Sequence, residues 1–317
     1  MMCNPRGQLL VKIICRITCK LLIHLTTTAF LISGLANDPV LADERYNEPP
    51  RRSSYDSDGR LQINRDFFNI SAETGGDFYF WGPGEFAASA AILRIPITSD
   101  PILLDYGTGD HFAKSYEIPV DTGVVLLSVF TGAQRKDLVV LYRPDGRSTS
   151  ANPAFVSDQN YRHMNIITVD KPEPGMWRLE WKGAGHYAVT VKYSGRKGKT
   201  STGQDKGIDL IDMKFVEPGG RPGHEGLFPM KGKVRSGQSL LCKLKITGKV
   251  SEPVAEFLSR DNRILGRVEL QPVPESDGEF LATCTVPAVP FRTRVSGRDI
   301  DGYPFQRVTS ALYTPAR

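Results

Sequence analysis

Apolar and polar residues alternate along several short runs in the last third of the chain. In "SLLCKLKI" every second residue from Leu240 to Ile246 is apolar, and "FLATCTV" repeats the pattern from Phe280 to Val286. A period of two places these side chains on one face of a strand. Strands of this kind, spread over residues 208–317, predict an antiparallel sandwich of the immunoglobulin-like kind.

A second set of strand-like runs lies between residues 95 and 194. The runs are separated by glycine, proline and aspartate, which favour turns. They read "SYEIPV", "GVVLLSVF", "DLVVLYR", "MNIITVD", "MWRLEWKG" and "HYAVTVKYS". Short strands at this spacing predict another antiparallel β-sandwich, so the fold class is mainly β with two sandwiches.

Residues 61–94 follow a different pattern. Ile63, Phe67 and Ile70 recur at helical spacing, and Gly75-Gly76 should end that helix. "DFYFW" is then expected to be a short strand, and Pro83 to open a second helix. A helix–strand–helix fragment of this size cannot cover its own apolar faces, so it should pack on its neighbour.

The first 42 residues are typical of a secretory signal. Basic residues extend to Lys20, an apolar core spans 21–36, and small residues offer cleavage after Ala36 or Ala42. His24 and three threonines make the core a poor membrane span, so no stable span should remain after removal. An uncleaved anchor is the alternative interpretation.

Two polar stretches are expected to be linkers. Residues 43–60 lack any periodicity, and residues 195–207 are small, polar and cationic.

The net charge of the chain does not indicate a particular class of partner. The formal charge is +5, but removing residues 1–42 leaves 36 basic and 34 acidic residues. A nucleic-acid partner would need a basic face on the folded part, so none is expected.

Two features of the mature chain, a cysteine pair and a glycosylation sequon, could be modified in a secreted protein. Cys242 and Cys284 both face the predicted core of the second sandwich, and an oxidising compartment would allow them to form a disulfide. Asn69-Ile70-Ser71 is an N-glycosylation sequon, which would make the chain a glycoprotein.

The sequence offers little chemistry for catalysis, and no enzyme, catalytic residue or cofactor is predicted. The histidines have no ligand partner at metal spacing, and no nucleophile elbow or phosphate loop occurs. Trp177 and Trp181 share a strand face and could stack on a sugar, although such pairs more often fill a core. The glycine-rich stretch 105–111 is expected to be a loop, and it is the other place where a sugar could bind.

Asp299 and Asp301 precede Gly302 between two expected strands. Asp-x-Asp-Gly resembles the start of a calcium loop, but no acidic residue follows to close it. The same residues suit a hairpin in which Gly302 takes a positive φ. A turn is therefore the preferred interpretation, with a calcium site as the alternative.

Two longer stretches resemble the hemicentin-like extracellular family. "FRTRVSGRDIDGYPFQRVTS" (291–310) looks like the immunoglobulin-like domain of these proteins. "VDKPEPGMWRLEWKGAGHYAVTVKYSG" (169–195) and "DLVVLYRPDGRS" (137–148) resemble their galactose-binding-like domain. "INRDFFNISAETGGDFYFW" (63–81) is similar to the end of the preceding von Willebrand factor A domain.

The resemblance implies an order of domains and a function. Residues 1–42 would be the signal, 43–60 a linker, 61–94 the end of an A domain, 95–194 the galactose-binding-like sandwich, 195–207 a linker and 208–317 the immunoglobulin-like sandwich. The A-domain metal motif Asp-x-Ser-x-Ser does not occur, so its metal site is not carried over. The chain is then either a gene product that has lost the front of that domain or a shortened secreted form.

The expected protein is a secreted, non-enzymatic adhesion or extracellular-matrix protein. It would act through surface contacts with extracellular proteins or matrix components. A secreted carbohydrate-binding module is the alternative, with carbohydrate as the partner.

Overall fold

The computed structural model describes residues 54–83, 85, 92, 101–151, 154–195 and 207–316. We refer to 101–195 as the first unit and to 207–316 as the second unit. The first unit contains β1 (Leu103–Val120), β2 (Val124–Tyr142), a 3-10 turn (Thr149–Ala151), β3 (Val156–Asn160), β4 (Met164–Asp170) and β5 (Gly175–Gly195), and helix α1 (Arg65–Thr74) precedes it. The second unit contains β6 (Leu210–Gly219), β7 (Gly226–Pro229), β8 (Ser239–Ile246), β9 (Val250–Ser259), β10 (Ile264–Glu269), β11 (Gln271–Pro272), β12 (Glu279–Thr285), β13 (Phe291–Asp299) and β14 (Pro304–Val308).

All pairings between these strands are antiparallel, which confirms the mainly β fold class. The first unit forms one sheet in the order β1-β5-β2-β4-β3. The second unit stacks a four-stranded sheet, β10-β9-β13-β14, on a five-stranded sheet, β11-β12-β8-β6-β7.

The sheet of the first unit folds over itself. Tyr116 donates a hydrogen bond to Asp105 Oδ2 at 2.5 Å, although both residues belong to β1. Eleven residues of straight strand would separate them by about 36 Å. The register shifts between Gly109 and Phe112, and β2 has shifts at Ala133/Arg135 and Lys136/Leu138. These bulges bend the long strands, so one sheet supplies both layers of a sandwich.

The core of the first unit lies between the two layers. It draws residues from both halves of each long strand, including Ile102, Ile118, Val129, Leu141, Trp177, Leu179, Trp181, Val189 and Tyr193. Burial of this continuous apolar cluster is what holds the bent sheet closed.

The predicted strand boundaries in the first unit were wrong in one respect. "GVVLLSVF" and "DLVVLYR" belong to the single strand β2, and "MWRLEWKG" and "HYAVTVKYS" to the single strand β5. The intervening polar and glycine residues mark bends rather than ends.

Helix α1 ends at Gly75 as the sequence indicates, but the apolar face predicted from Ile63, Phe67 and Ile70 is wrong. Ile63 precedes the helix, and Ile70 is 46% exposed because the helix turns a different face to the sheet. Asn64 caps it by accepting hydrogen bonds from Asp66 N and Phe67 N, and Gly75 ends it at φ 72°. Phe68 and Ala72 are buried against the outer face of the first unit. The sheet therefore covers the apolar face that the helix cannot cover alone.

The predicted strand at 77–81 is not hydrogen-bonded into a sheet within the described structure. The segment alternates its side chains as a strand would. Phe78 and Phe80 join α1, and Tyr79 and Trp81 pack near Phe130. Aromatic contacts with the outer face replace the strand pairing that the alternation suggested.

Several expectations fall outside the described residues. They are the signal at 1–42, most of the linkers at 43–60 and 195–207, and nearly all of the second helix expected after Pro83. Glu85 is described and accepts a hydrogen bond from Gly82 N at 2.8 Å, as in a capping box.

The alternation predicted for the second unit is confirmed. Cys242, Leu244, Ile246, Phe280, Ala282, Cys284 and Val286 are all buried in one core. Polar residues such as Thr283 and Lys245 lie on the opposite face of their strands.

Candidate functional site

The two tryptophans proposed for sugar stacking are both core residues. Trp177 and Trp181 are each 0% exposed. Trp177 donates its indole N–H to Glu173 O at 2.8 Å, and Trp181 packs on Phe112 and Tyr187. Neither ring presents a face to a ligand, so that site prediction is wrong. The alternation of β5 places Trp177, Leu179 and Trp181 together on its inner face.

The stretch 105–111 is part of β1 and not a loop, which corrects the second sugar-binding prediction. Asp105 is buried, and its Oδ2 also accepts from Lys114 at 3.0 Å. Asp110 lies 3.6 Å from Arg60, and His111 Nδ1 lies 3.1 Å from Arg135 Nη2. Neighbouring Asp110 and His111 therefore have different partners.

Asp299 lies in the hairpin turn that its sequence suggested. Its Oδ1 accepts from Asp301 N and Tyr303 N, and its Oδ2 accepts from Thr122 N and Oγ1. Gly302 has φ 83°. Four donors occupy the buried carboxylate, so a calcium ion at Asp299 and Asp301 would have to displace them. No group of three metal-ligating side chains occurs in the described part of the chain.

Cys242 and Cys284 face one core, as predicted, and they lie on neighbouring strands. Ala282 pairs with Cys242 and Cys284 pairs with Leu240, so the cysteines are diagonal neighbours on β8 and β12. Both are buried thiols in the structure. Their contact raises the pKa of Cys242, and the hydrogen bond from Cys242 lowers the pKa of Cys284. The disulfide itself stays a prediction.

The two units are joined by buried polar contacts that the sequence did not reveal. Arg307 Nη2 lies 2.6 Å from Asp121 Oδ2, and both side chains are about 1% exposed. The guanidinium also lies 3.8 Å from the centre of the Tyr193 ring and donates to Ile208 O. Burial opposes the charge on Arg307, but Asp121 and Tyr193 together more than offset it, so the pKa of Arg307 is raised.

A second buried arginine ties the second unit to helix α1. Arg292 donates to Ala72 O at the end of α1 and to Ser310 O at 2.9 Å. Carbonyls at a helix C-terminus carry partial negative charge, which favours a cation there. Burial nevertheless lowers the pKa of Arg292.

The turn between β9 and β10 reaches into the first unit. Asn262, at φ 60°, donates to Leu104 O and to Asp105 Oδ1. We call the set Asp121, Asn262, Arg292, Asp299 and Arg307 the joint. Its members come from distant parts of the sequence and fix the units relative to each other.

A cleft of about 640 Å³ opens beside the joint. Helix α1, the β9–β10 turn and the C-terminal segment line it. Its lining includes Glu73, Thr74, Ser259, Arg260, Asp261, Arg263, Val289, Leu312 and Thr314. Arginines, hydroxyls and apolar side chains thus face one cavity, which suits a small polar ligand.

No described segment packs on one outer face of the first unit, and we call it the open face. It consists of the outward side chains on the C-terminal halves of β1 and β2 and the N-terminal half of β5. Leu138 is 42% and Met176 40% exposed there. Arg178 lies over the Tyr142 ring at 4.4 Å and pairs with Glu180 at 2.8 Å. Helix α1 and the 77–81 segment cover the opposite outer face.

A partly buried lysine lies at the bend of β2. Lys136 Nζ donates to Asn160 Oδ1, Asn165 Oδ1 and Met164 O. Burial lowers the pKa of Lys136 to about 8, against the attraction of Asp158. Three acceptors hold the ammonium in place, so the residue serves as an internal cross-link of β2, β3 and β4.

Comparisons with known proteins give the chain no family. No family model matches the sequence, and no curated protein matches it. The Bacillus licheniformis lipase BlEst2 in propeptide form is 13% identical over 71% of this chain and 48% of that chain, with a TM-score of 0.25. The β-glucuronidase from Ruminococcus gnavus in complex with D-glucaro 1,5-lactone is 8% identical over 63% and 36%, with a TM-score of 0.20.

A glycosyl hydrolase family 2 member from Bacteroides cellulosilyticus is 10% identical over 62% of this chain and 26% of that chain, with a TM-score of 0.20. The chain thus spans less than half the length of each of these three structures. At such identities and TM-scores the similarity assigns no activity to it. No helix in the described residues is long and apolar enough to cross a membrane.

Proposed function

We propose that this chain is a secreted, non-enzymatic adhesion or extracellular-matrix protein that acts through protein surface contacts. The hemicentin-like resemblance belongs to this proposal, with residues 95–194 as its galactose-binding-like sandwich and 208–317 as its immunoglobulin-like sandwich. The partners would be extracellular proteins or matrix components.

The observation that carries the proposal is the open face on a rigid two-unit body. Its backbone groups are paired within the sheet, and it exposes Leu138 and Met176 among charged side chains. Apolar side chains that are exposed among charged ones can supply the buried centre and the polar rim of a protein interface. The joint holds the first unit, which carries this face, against the second unit through buried polar contacts, so the face need not be ordered when a partner binds it.

The proposal is tested with the double substitution Leu138→Asp and Met176→Asp. The full chain is expressed in secretory cells, and its binding to matrix deposited by cultured cells is measured. We expect the variant to bind at least about tenfold more weakly, because buried contact-surface side chains carry most of the binding free energy. Mass spectrometry of the secreted chain should find a start at Asn37 or Asp43.

The matched control is Ile264→Asp with Phe228→Asp, which changes two exposed apolar residues of the second unit. This variant should bind as the wild type does. Equal loss in both variants, or no matrix binding by the wild type, would contradict the proposal. An intact Met1 on a membrane-bound form would contradict secretion.

A carbohydrate-binding module is the second candidate, and the cleft is what favours it. Arg260 and Arg263 can donate to sugar hydroxyls, while Val289 and Leu312 offer apolar contact to a ring face. A glycan array tests this candidate. Binding that is lost in Arg263→Ala, with the fold intact, would support it over matrix contact through the open face.

A further inference from the structure

Ser71 is a buried hydroxyl with no structural role in the folded protein. Its side chain is 1% exposed, and its Oγ has no hydrogen-bond partner among the described residues. It lies on the face of α1 that packs on the sheet, next to Ala72. An unpaired buried hydroxyl is destabilising, and alanine would also favour the helix more. The serine therefore requires an explanation outside the folded state.

Asn69 lies two residues earlier on the exposed side of the same helix. Its Oδ1 accepts a hydrogen bond from Arg260 Nη2 at 2.8 Å, while its Nδ2 donates to no described residue. Asn-x-Ser is the sequence that secretory cells glycosylate on the asparagine Nδ2. In that reaction the serine hydroxyl is needed only while the transferring enzyme binds the Asn-x-Ser sequence.

We propose that Asn69 carries an N-linked glycan, attached before α1 docks on the first unit. The inference rests on the proposed secretion. The donor is a lipid-linked oligosaccharide diphosphate. The bond from sugar C1 to the phosphate oxygen breaks, C1 bonds to Asn69 Nδ2, and one amide proton leaves. Attachment precedes docking because the folded protein hides Ser71 from the transferring enzyme.

The folded structure also fixes where the glycan emerges. Arg260 belongs to the second unit and lines the cleft, and its Nη1 lies 3.7 Å from Glu73, one turn further along α1. The first sugar therefore lies at the rim of the cleft, over the seam between α1 and the β9–β10 turn. The glycan would shield this seam and leave the open face free for partners.

The test expresses the full chain in eukaryotic secretory cells. The secreted protein is treated with an amidase that removes N-glycans, and the mass shift is measured. We expect the shift in the wild type and in Arg260→Ala, because modification precedes the contact with Arg260. It should be lost in Asn69→Gln and in Ser71→Ala.

Thermal unfolding of unglycosylated protein from a bacterial host separates this role from a structural one. Ser71→Ala should melt at the wild-type temperature or above it. A melting temperature several degrees lower would overturn the inference, because the hydroxyl would then stabilise the fold. A secreted chain with unmodified Asn69 overturns this inference alone, whereas a chain retained in the cytosol overturns the proposed function as well.

Discussion

Gly75 allows the end of helix α1 to pack closely against Ser310 of the second unit. It ends α1 at φ 72°, and a Cβ at this position would lie 1.9 Å from Ser310 O. Gly75→Ala adds the left-handed backbone cost of about 1–2 kcal/mol to overpacking of about 1–3 kcal/mol. We expect the free energy of unfolding to fall by at least about 2 kcal/mol, as measured by denaturant titration.

Gly146→Ala is the matched control for that prediction. Gly146 also has a positive φ, 83°, but no atom lies within 4 Å of the Cβ position. Its substitution therefore reports the backbone cost alone. Equal losses in the two variants would show that the contact with Ser310 contributes nothing.

Cys242 and Cys284 test the other residue-scale prediction. Both thiols lie in one core as diagonal neighbours on adjacent strands, so a bridge needs a shift of the backbone that brings the Cα atoms within about 7 Å. In secreted protein we expect a disulfide, which would raise the free energy of unfolding by about 3–4 kcal/mol. Non-reducing peptide mapping decides the question. Alkylation of both cysteines without reductant would contradict the bridge, and protein made in a reducing cytosol serves as the control.

At the scale of elements, the local sequence pattern predicted which segments form strands better than it predicted where each strand begins and ends. The alternation from Phe280 to Val286 gave the correct core face of β12. Gly183 and Gly185 indicated a break in β5, yet the strand continues through them. Glycine permits both a bend within a strand and a turn that ends it. The ring of Trp181 packs on that of Tyr187 across the two glycines, an arrangement that fits a bent, continuous strand. That contact is tertiary, so periodicity could not reveal it.

The docking of α1 should weaken in acid. His186 packs on Phe68 at 4.9 Å, and His163 Nε2 lies 3.4 Å from Tyr55 Oη. Burial lowers the pKa of both histidines below the ordinary 6.5. The unfolded state therefore binds more protons, and stability is lost as the pH falls through 6.5 towards the folded values.

Hydrogen exchange of residues 65–74, corrected for the intrinsic rate, measures this effect between pH 7.5 and 5. We expect protection of the helix to fall with pH in the wild type. It should change less in His163→Gln with His186→Phe, which removes both titrations and keeps a ring against Phe68. His224→Gln, an exposed histidine of the second unit, is the control. If helix protection in the double variant falls with pH as it does in the wild type, protonation of these two histidines does not weaken the docking of α1.

The aromatic segment and α1 should together be necessary for a soluble first unit. They cover Leu104, Tyr106, Phe130 and Ile166 on the sheet. Deleting residues 43–93 would expose that apolar surface to water, so we expect aggregation or a lower melting temperature. If the shortened chain is secreted and melts as before, the fragment contributes nothing to stability.

At the scale of the whole molecule, the joint is the feature that sequence reasoning missed. Asp121 and Arg307 are 186 positions apart, and Ala72 and Arg292 are 220 apart. Nothing in the local sequence of either partner indicates the other. The sequence predicted a linker between the two sandwiches and did not indicate any contact between them. The contacts of Asn262 with Leu104 and Asp105 show that the units are packed together.

The ion pair of Asp121 and Arg307 should make the two units unfold as one. Removing one partner leaves a buried charge without compensation, which typically costs about 3–5 kcal/mol. We therefore expect Arg307→Met to lower the free energy of unfolding by that amount. The transition should also split in two, because the first unit no longer gains stability from the second.

Two further variants separate charge from packing. Asp121→Asn can keep an oxygen that accepts from Gly123 N, as Asp121 Oδ1 does at 3.0 Å, but its amide N–H then faces Arg307 Nη2 in place of the accepting Oδ2. We therefore expect it to destabilise the protein as Arg307→Met does. Asp121→Leu with Arg307→Met removes both charges, and a buried pair replaced by apolar groups often loses little stability. Calorimetry should therefore rank the double variant above Arg307→Met. If Arg307→Met and wild type instead share one transition at the same temperature, the ion pair does not couple the units, and the other contacts, among them those of Asn262 and Asp299, hold them together.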